Sequence, residues 1–179
     1  MGGEELDRWI SLSAGGDIDA LKRLYEALRS PVFLLAKTLL GDAALAEDIL
    51  QETFIRVYEH ARTYRPGTHP KAWVMRIARN LAISALRKRR WEKPAEEAVI
   101  DAAACVPPDA LALDEALGTL GRMERQIVVL GVVADLTHRE IAQVLSIPYG
   151  SVSFRHKKAM EKLRVYYTSC EKEDPRNAR

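Results

Sequence analysis

Residues 137–164 read THREIAQVLSIPYGSVSFRHKKAMEKLR, the pattern of two helices meeting at a tight turn. Thr137 and Glu140 stand at the spacing of a capping box, in which each side chain takes up the other residue's unpaired backbone N–H. Ile141, Ala142 and Leu145 supply the apolar side of the first helix. Ser146-Ile147-Pro148 is expected to turn the chain, and Pro148 suits the first turn of a second helix, where its missing N–H costs nothing. In that second helix Val152, Ala159 and Leu163 are expected to face the core, leaving Arg155, Lys157 and Lys158 outside. A helix-turn-helix with a basic second helix is the geometry that sets a helix end into the major groove of DNA.

Charge is segregated along the rest of the chain. Residues 138–164 carry six bases and two acids, residues 95–118 six acids and no base, and residues 71–93 eight bases and the single acid Glu92. A net charge of +2 over 179 residues hides this alternation. Two basic segments imply two contacts with a polyanion.

Upstream, amphipathic helices are predicted between Asp19 and Arg90. Leu21, Leu24, Tyr25 and Leu28 form one apolar stripe, broken at Pro31; Val32, Phe33, Leu35, Ala36, Leu39 and Leu40 form a second, ending at Gly41-Asp42. A third helix, Ala43 to Ala61, is expected to bury Ile49, Leu50, Thr53, Phe54, Val57 and Tyr58 and to present Asp48, Gln51, Glu52, Ile55 and Glu59. After a loop at 65–70 with two prolines and a glycine, a fourth helix to Arg90 packs through Val74, Ile77, Ala78, Leu81 and Ala85. Its other side gathers Arg76, Arg79, Asn80, Ile83, Arg87 and Arg90. Periodicity fades from Lys93 to Ala112 and resumes at Leu113, continuing to Tyr167, and the last dozen residues are polar and expected to fray.

The expected fold is all-α: two small helical domains, residues 1–92 and 113–170, joined by a flexible acidic linker at 93–112 and followed by a polar tail at 171–179. No apolar run reaches the about 18 residues needed to cross a bilayer, and the acidic N-terminus is unlike a secretory signal, so a cytoplasmic protein without membrane insertion is expected. Cys105 and Cys170 have neither metal-ligand spacing nor histidines arranged around them; no metal or cofactor is expected.

Four segments, in order, resemble the extracytoplasmic-function sigma factors of bacterial RNA polymerase. Residues 46–58 (AEDILQETFIRVY) are similar to that family's core-polymerase-binding helix in region two. Trp73 with residues 76–83 (RIARNLAI) resembles its promoter-melting helix. Residues 122–130 (RMERQIVVL) and 136–142 (LTHREIA), continued by Gly150, Ser151, Val152 and Arg155, resemble its region four. The resemblance covers about residues 15–166.

It implies a factor that lends promoter specificity to core polymerase. Asp48, Gln51, Glu52 and Ile55 would dock on the clamp helices of the largest subunit, with the polymerase flap as a further contact. Lys71, Trp73, Arg76, Arg79, Asn80 and Arg87 would take the −10 element, with the 64–70 loop as specificity pocket; for Trp73 packed core is the preferred reading and a stacking platform the alternative. Arg139, Ser151, Arg155, Lys157 and Lys158 would take the −35 element, Arg155 reaching base edges and the others holding phosphates. An anti-sigma partner is implied, and no small-molecule substrate. The acidic linker would run through a basic channel of the polymerase.

Some positions depart from the family pattern. Gly121 stands where proline is frequent, Gly131 where arginine is common, Ser84 for a frequent aspartate and Ser146 for a turn glycine. Ser153 replaces a common base, Phe154 follows it, and His156 stands where the family is usually apolar and core-facing. These bear on the −35 sequence read, not on the class of function. A regulator that only binds DNA would have no use for the Asp48 face. A helical enzyme or scaffold would need convergent polar groups, and no nucleophile, metal cluster or paired acids stand out.

Overall fold

The computed structural model describes the backbone of residues 2–92 and 108–173, with side chains through 89 and from 113 to 169. Within these the chain is all helix and turn, without a strand. The acidic stretch before Pro108, Cys105 and the side chain of Cys170 lie outside the described residues, as does the channel role expected of that stretch.

Helix α1 (Gly3–Ala14) places Glu4 and Glu5 at the positive end of its dipole and buries Leu6 and Ile10, one turn apart. The helical pattern in the sequence begins only at Asp19, so α1 is additional to it. Asp17 caps α2 (Ile18–Leu40) by accepting from the Ala20 N–H at 3.0 Å. Contrary to the expected break, α2 continues through Pro31, which is itself buried. An internal proline costs about 3 kcal/mol, and the helix carries it because Leu24, Leu28, Val32, Leu35 and Ala36 bury their side chains on both sides of it.

Gly41 stops α2 in the left-handed conformation at φ 68°, donating to the Lys37 carbonyl at 2.8 Å. Asp42 then caps α3 (Ala43–His60) through the Leu45 N–H at 3.1 Å, so two residues end one helix and begin the next. A 3-10 turn (Ala61–Thr63) and the loop lead to α4 (Pro70–Glu92). Tyr25 meets Phe54 edge-on at 4.9 Å, joining α2 to α3.

Helix α5 (Pro108–Gly118) begins inside the span read as linker, before the start expected at Leu113. The pattern read as continuous to Tyr167 is interrupted: α6 (Arg122–Val128) widens into a π turn (Val129–Val133), followed by α7 (His138–Leu145) and α8 (Tyr149–Glu173). Helix α8 passes the boundary expected at 170 and runs into the tail expected to fray. Pro148 sits just before α8 rather than in its first turn, its carbonyl accepting from Ser151 and Val152.

The two halves share one apolar core, with α2 against α6 and the π turn and α4 against α7. Polar contacts rim the junction: the ion pairs Lys37–Asp114 at 3.2 Å and Lys71–Asp135 at 2.9 Å, and His69 Nδ1 against the Glu140 carboxylate at 2.9 Å.

Gly121 opens α6 without a proline, and Glu124 compensates by accepting from the Gly121 N–H at 3.0 Å. The buried Glu124 carboxylate also takes the Lys162 ammonium of α8 at 2.6 Å, and this bond chiefly holds its pKa below the ordinary carboxylate range. A carboxylate depressed in the fold stabilises it above the ordinary carboxylate range and loses that contribution as pH falls through the folded value. Glu124→Gln is therefore expected to lose about 1 kcal/mol at neutral pH, the partly exposed Lys162 limiting the effect. Denaturant titrations should show the gap from wild type narrowing at acid pH.

Candidate nucleic-acid and protein interfaces

On α3 the inner side is fixed by Ala46, Ile49, Leu50, Thr53, Phe54 and Val57, all buried. Asp48, Gln51, Ile55 and Glu59 therefore stand outside, with Ile55 53% exposed. Glu52 is half-buried and accepts from the Arg56 Nε at 2.8 Å, while Arg56 also reaches Glu59 at 3.2 Å. Tyr58, expected in the core, is 41% exposed. The buried stripe closes at Val57, so Tyr58 turns outward and widens the apolar patch one turn from Ile55.

Helix α4 buries Ala72, Val74, Met75, Ala78 and Ala82. Arg76, Asn80 and Arg87 are exposed at near-helical spacing and form one stripe. Arg79 does not join them in the open: it is half-buried, its Nε is enclosed without a hydrogen-bond partner, and burial pushes the guanidinium below its ordinary pKa. Lys71 is half-buried and held by Asp135. Trp73 packs against the core with its ring 4.9 Å from that of Tyr64, in keeping with the packed-core reading of this residue.

The loop before α4 is tied down by a residue absent from the sequence reading. Asp7 of α1 accepts from the Tyr64 hydroxyl and, at 3.0 Å, from the Gly67 N–H. Tyr64 is buried, and its phenol is pushed up to about 12, first by that burial and then by the Asp7 bond. Gly67 has φ 79°, a conformation open to glycine at no steric cost. The signal for α1 is Leu6, Trp9 and Ile10 at i, i+3 and i+4 behind the acidic pair Glu4-Glu5, a pattern confined to about two turns.

In the helix-turn-helix the capping box forms as expected. Glu140 accepts from the Thr137 N–H at 2.7 Å, and the Thr137 hydroxyl accepts from the Glu140 N–H at 3.3 Å. Ser146 takes φ 55° and ψ 46° at the turn, the left-handed geometry a glycine would adopt more readily. Val152 and Ala159 are fully buried and Leu163 partly, while Arg139, Arg155, Lys157 and Lys158 are exposed and Ser151 half-buried.

Two departures from the family pattern lie side by side: a Cβ at Gly131 would be in ordinary van der Waals contact with Ile141 Cδ1 at 3.5 Å and His156 Nε2 at 3.7 Å. His156 meets His138 edge-on at 4.8 Å; burial, and secondarily His138, lowers its pKa and favours the neutral ring.

Among the described residues no group of three or more metal-ligating side chains converges, and no helix is long and apolar enough to cross a membrane.

Residues 24–92 match Sigma-70 region 2, and residues 116–165 match Sigma-70, region 4. The ECF RNA polymerase sigma factor SigE of Mycolicibacterium smegmatis is 32% identical over 92% of this chain and 69% of its own length. SigW of Bacillus subtilis, also an ECF RNA polymerase sigma factor, is 29% identical over 83% of this chain and 89% of its own. The fold matches that of the sigma factor RpoE from Bartonella quintana, solved with the anti-sigma factor NepR, at a TM-score of 0.66 and 22% identity over 82% of this chain and 96% of that one. With both regions matched in order and a relative of this identity spanning most of each sequence, the chain belongs to the ECF RNA polymerase sigma factors, and its function is promoter-specific initiation of transcription.

Proposed function

We propose that the chain performs this function by binding alone, in the cytoplasm, with no reaction of its own. Helix α3 holds core RNA polymerase at the clamp helices through Asp48, Gln51, Glu52 and Ile55. The 64–70 loop and α4 take the −10 element, with Arg76, Asn80 and Arg87 along the single strand and Arg79 and Trp73 shaping the surface from beneath. Helices α7 and α8 take the −35 duplex, with Arg155 at base edges and Arg139, Ser151, Lys157 and Lys158 at phosphates. A mainly apolar groove of about 690 Å³, whose lining includes Leu117, Val128 and Met160 and also the charged Lys157, Glu161 and Arg164, offers the flap a seat. An anti-sigma protein would act by covering these faces.

The observation that carries this reading is the division of labour on one scaffold. The acidic-apolar outer side of α3 and the basic outer side of α4 rise from the same core, so one small body can grip protein and nucleic acid together.

The closed packing of the halves sets a condition on initiation. The −10 and −35 elements lie about 25 base pairs apart, roughly 85 Å along B-DNA, whereas a compact chain of this length, with a radius of gyration of about 16 Å, spans only about 40 Å. The halves must part for both elements to be held at once. Parting breaks Lys71–Asp135 and His69–Glu140 and returns Lys71 to the −10 strand.

Run-off transcription with purified core polymerase on a promoter library tests the whole reading. Discrete promoter-specific transcripts are expected, and their absence under conditions that support another sigma factor would overturn it.

A further inference from the structure

Phe154 is 70% exposed, more than any other large apolar side chain among the described residues. A phenylalanine left in water forfeits the transfer energy that burial gives an aromatic ring, so its position invites a partner. Its direction is set by the core. Val152 and Ala159 are both fully buried, and at about 100° per residue Phe154 lies on the side of α8 opposite them. One turn before it on that side stand Gly150 and Ser151, both small, and a Cβ added at Gly150 would meet nothing within 4 Å. One turn after it stand Lys157 and Lys158, with Arg155 adjacent, all exposed. The ring is thus an apolar point in basic surroundings near the start of the helix that follows the turn, where Tyr149 is the other exposed large apolar side chain.

These surroundings select the partner. An apolar protein surface closing over Phe154 would have to strip water from Arg155, Lys157 and Lys158 without offering them counter-charges. Duplex DNA offers phosphates to those bases and, on the major-groove edge of its base pairs, one apolar group, the C5-methyl of thymine. Glu161 lies two turns further along the same side, so the groove-facing part of α8 ends before its carboxylate would oppose a phosphate. Resting on the assignment of α7 and α8 to the −35 duplex, we infer that Phe154 reads a thymine methyl there, fixing a T·A pair by apolar contact next to the bases that hydrogen-bonding side chains read. Ser153 and Phe154, two of the departures from the family pattern, then mark a −35 sequence particular to this chain.

The test uses holoenzyme assembled from core polymerase and the full-length chain, selecting binding sites from duplexes randomised across the upstream element. Wild type should enrich a motif with a required thymine, and Phe154→Ala should lose preference at that base pair alone, with Phe154→Leu intermediate. Replacing that thymine with deoxyuridine removes the methyl and leaves every Watson–Crick bond. It should weaken wild type about fourfold, the equivalent of about 0.8 kcal/mol for one buried methyl, and leave Phe154→Ala unaffected. The same motif from both proteins, or an equal loss for both on deoxyuridine, overturns the inference and leaves the −35 assignment standing. No enriched upstream motif for wild type overturns the −35 assignment and this inference with it. At 70% exposure the substitution removes no core contact, and matched unfolding midpoints would verify that the domain is intact.

Discussion

Ile55→Arg is expected to weaken binding to core RNA polymerase by about a hundredfold or more while leaving the fold untouched. Ile55 projects from the middle of the outer side of α3, with Gln51 and Glu59 one turn away on either side, Asp48 beyond Gln51, and Tyr58 adjoining it. An apolar residue ringed by polar ones is the composition of an interface hot spot, where truncation alone costs 2 kcal/mol or more. Arginine adds to that loss a guanidinium desolvated without a partner, and about 2.7 kcal/mol in total is a hundredfold. Because Ile55 is 53% exposed in the free chain, no core contact is lost with it. Glu52→Lys should also impair core binding. That change, however, breaks the Glu52–Arg56 pair and sets two cations one turn apart, so part of its effect would arise within α3. Fluorescence anisotropy against purified core polymerase reads the loss, and the denaturation midpoint reads the fold. Core affinity retained by a folded Ile55→Arg chain would show that α3 docks through another side.

The features legible in the sequence are those fixed within a few residues. The capping box at Thr137, the stop and restart at Gly41-Asp42 and the turn around Ser146 each depend on neighbours three to five positions away, and each formed where expected. The same locality explains why the outer side of α3 could be named from spacing alone. What escaped the sequence was set by distant partners. Pro31 reads as a helix breaker until its flanks are buried by other helices. Lys71 reads as a free cation, yet its partner Asp135 is 64 residues away. Gly131 and His156 look like two unrelated oddities until the π turn brings them together. Arg79 shares a stripe with Arg76 and Asn80 on a helical wheel, but the packing around α4 covers part of it.

Asp7 is likewise set by distant partners, and Asp7→Ala should slow promoter opening about tenfold or more while sparing core binding and −35 contact. The 64–70 loop carries two prolines and a glycine and has little local structure to hold it. Ordering each loop residue costs roughly 1–2 kcal/mol of backbone entropy, and Asp7 offsets part of that cost through the Tyr64 hydroxyl and the Gly67 N–H. When the halves part, His69 loses Glu140, and the hold from α1 carries more of the burden. Alanine leaves the Tyr64 hydroxyl enclosed without its acceptor, a loss of about 1–3 kcal/mol, and the loop no longer meets the unwound strand in one prepared shape. Asp7 is a positioning residue here, so its effect should appear in permanganate reactivity of the melted −10 bases and not in holoenzyme assembly. Asp7→Asn keeps one carbonyl acceptor and should fall between. The clamp has its own spectroscopic sign. Asp7 raises the Tyr64 pKa by its hydrogen bond, so the variant should ionise that phenol below about 12, with burial still holding it above an exposed tyrosine. A shifted phenol titration with normal promoter opening would show that the clamp breaks without consequence and would remove Asp7 from the −10 machinery.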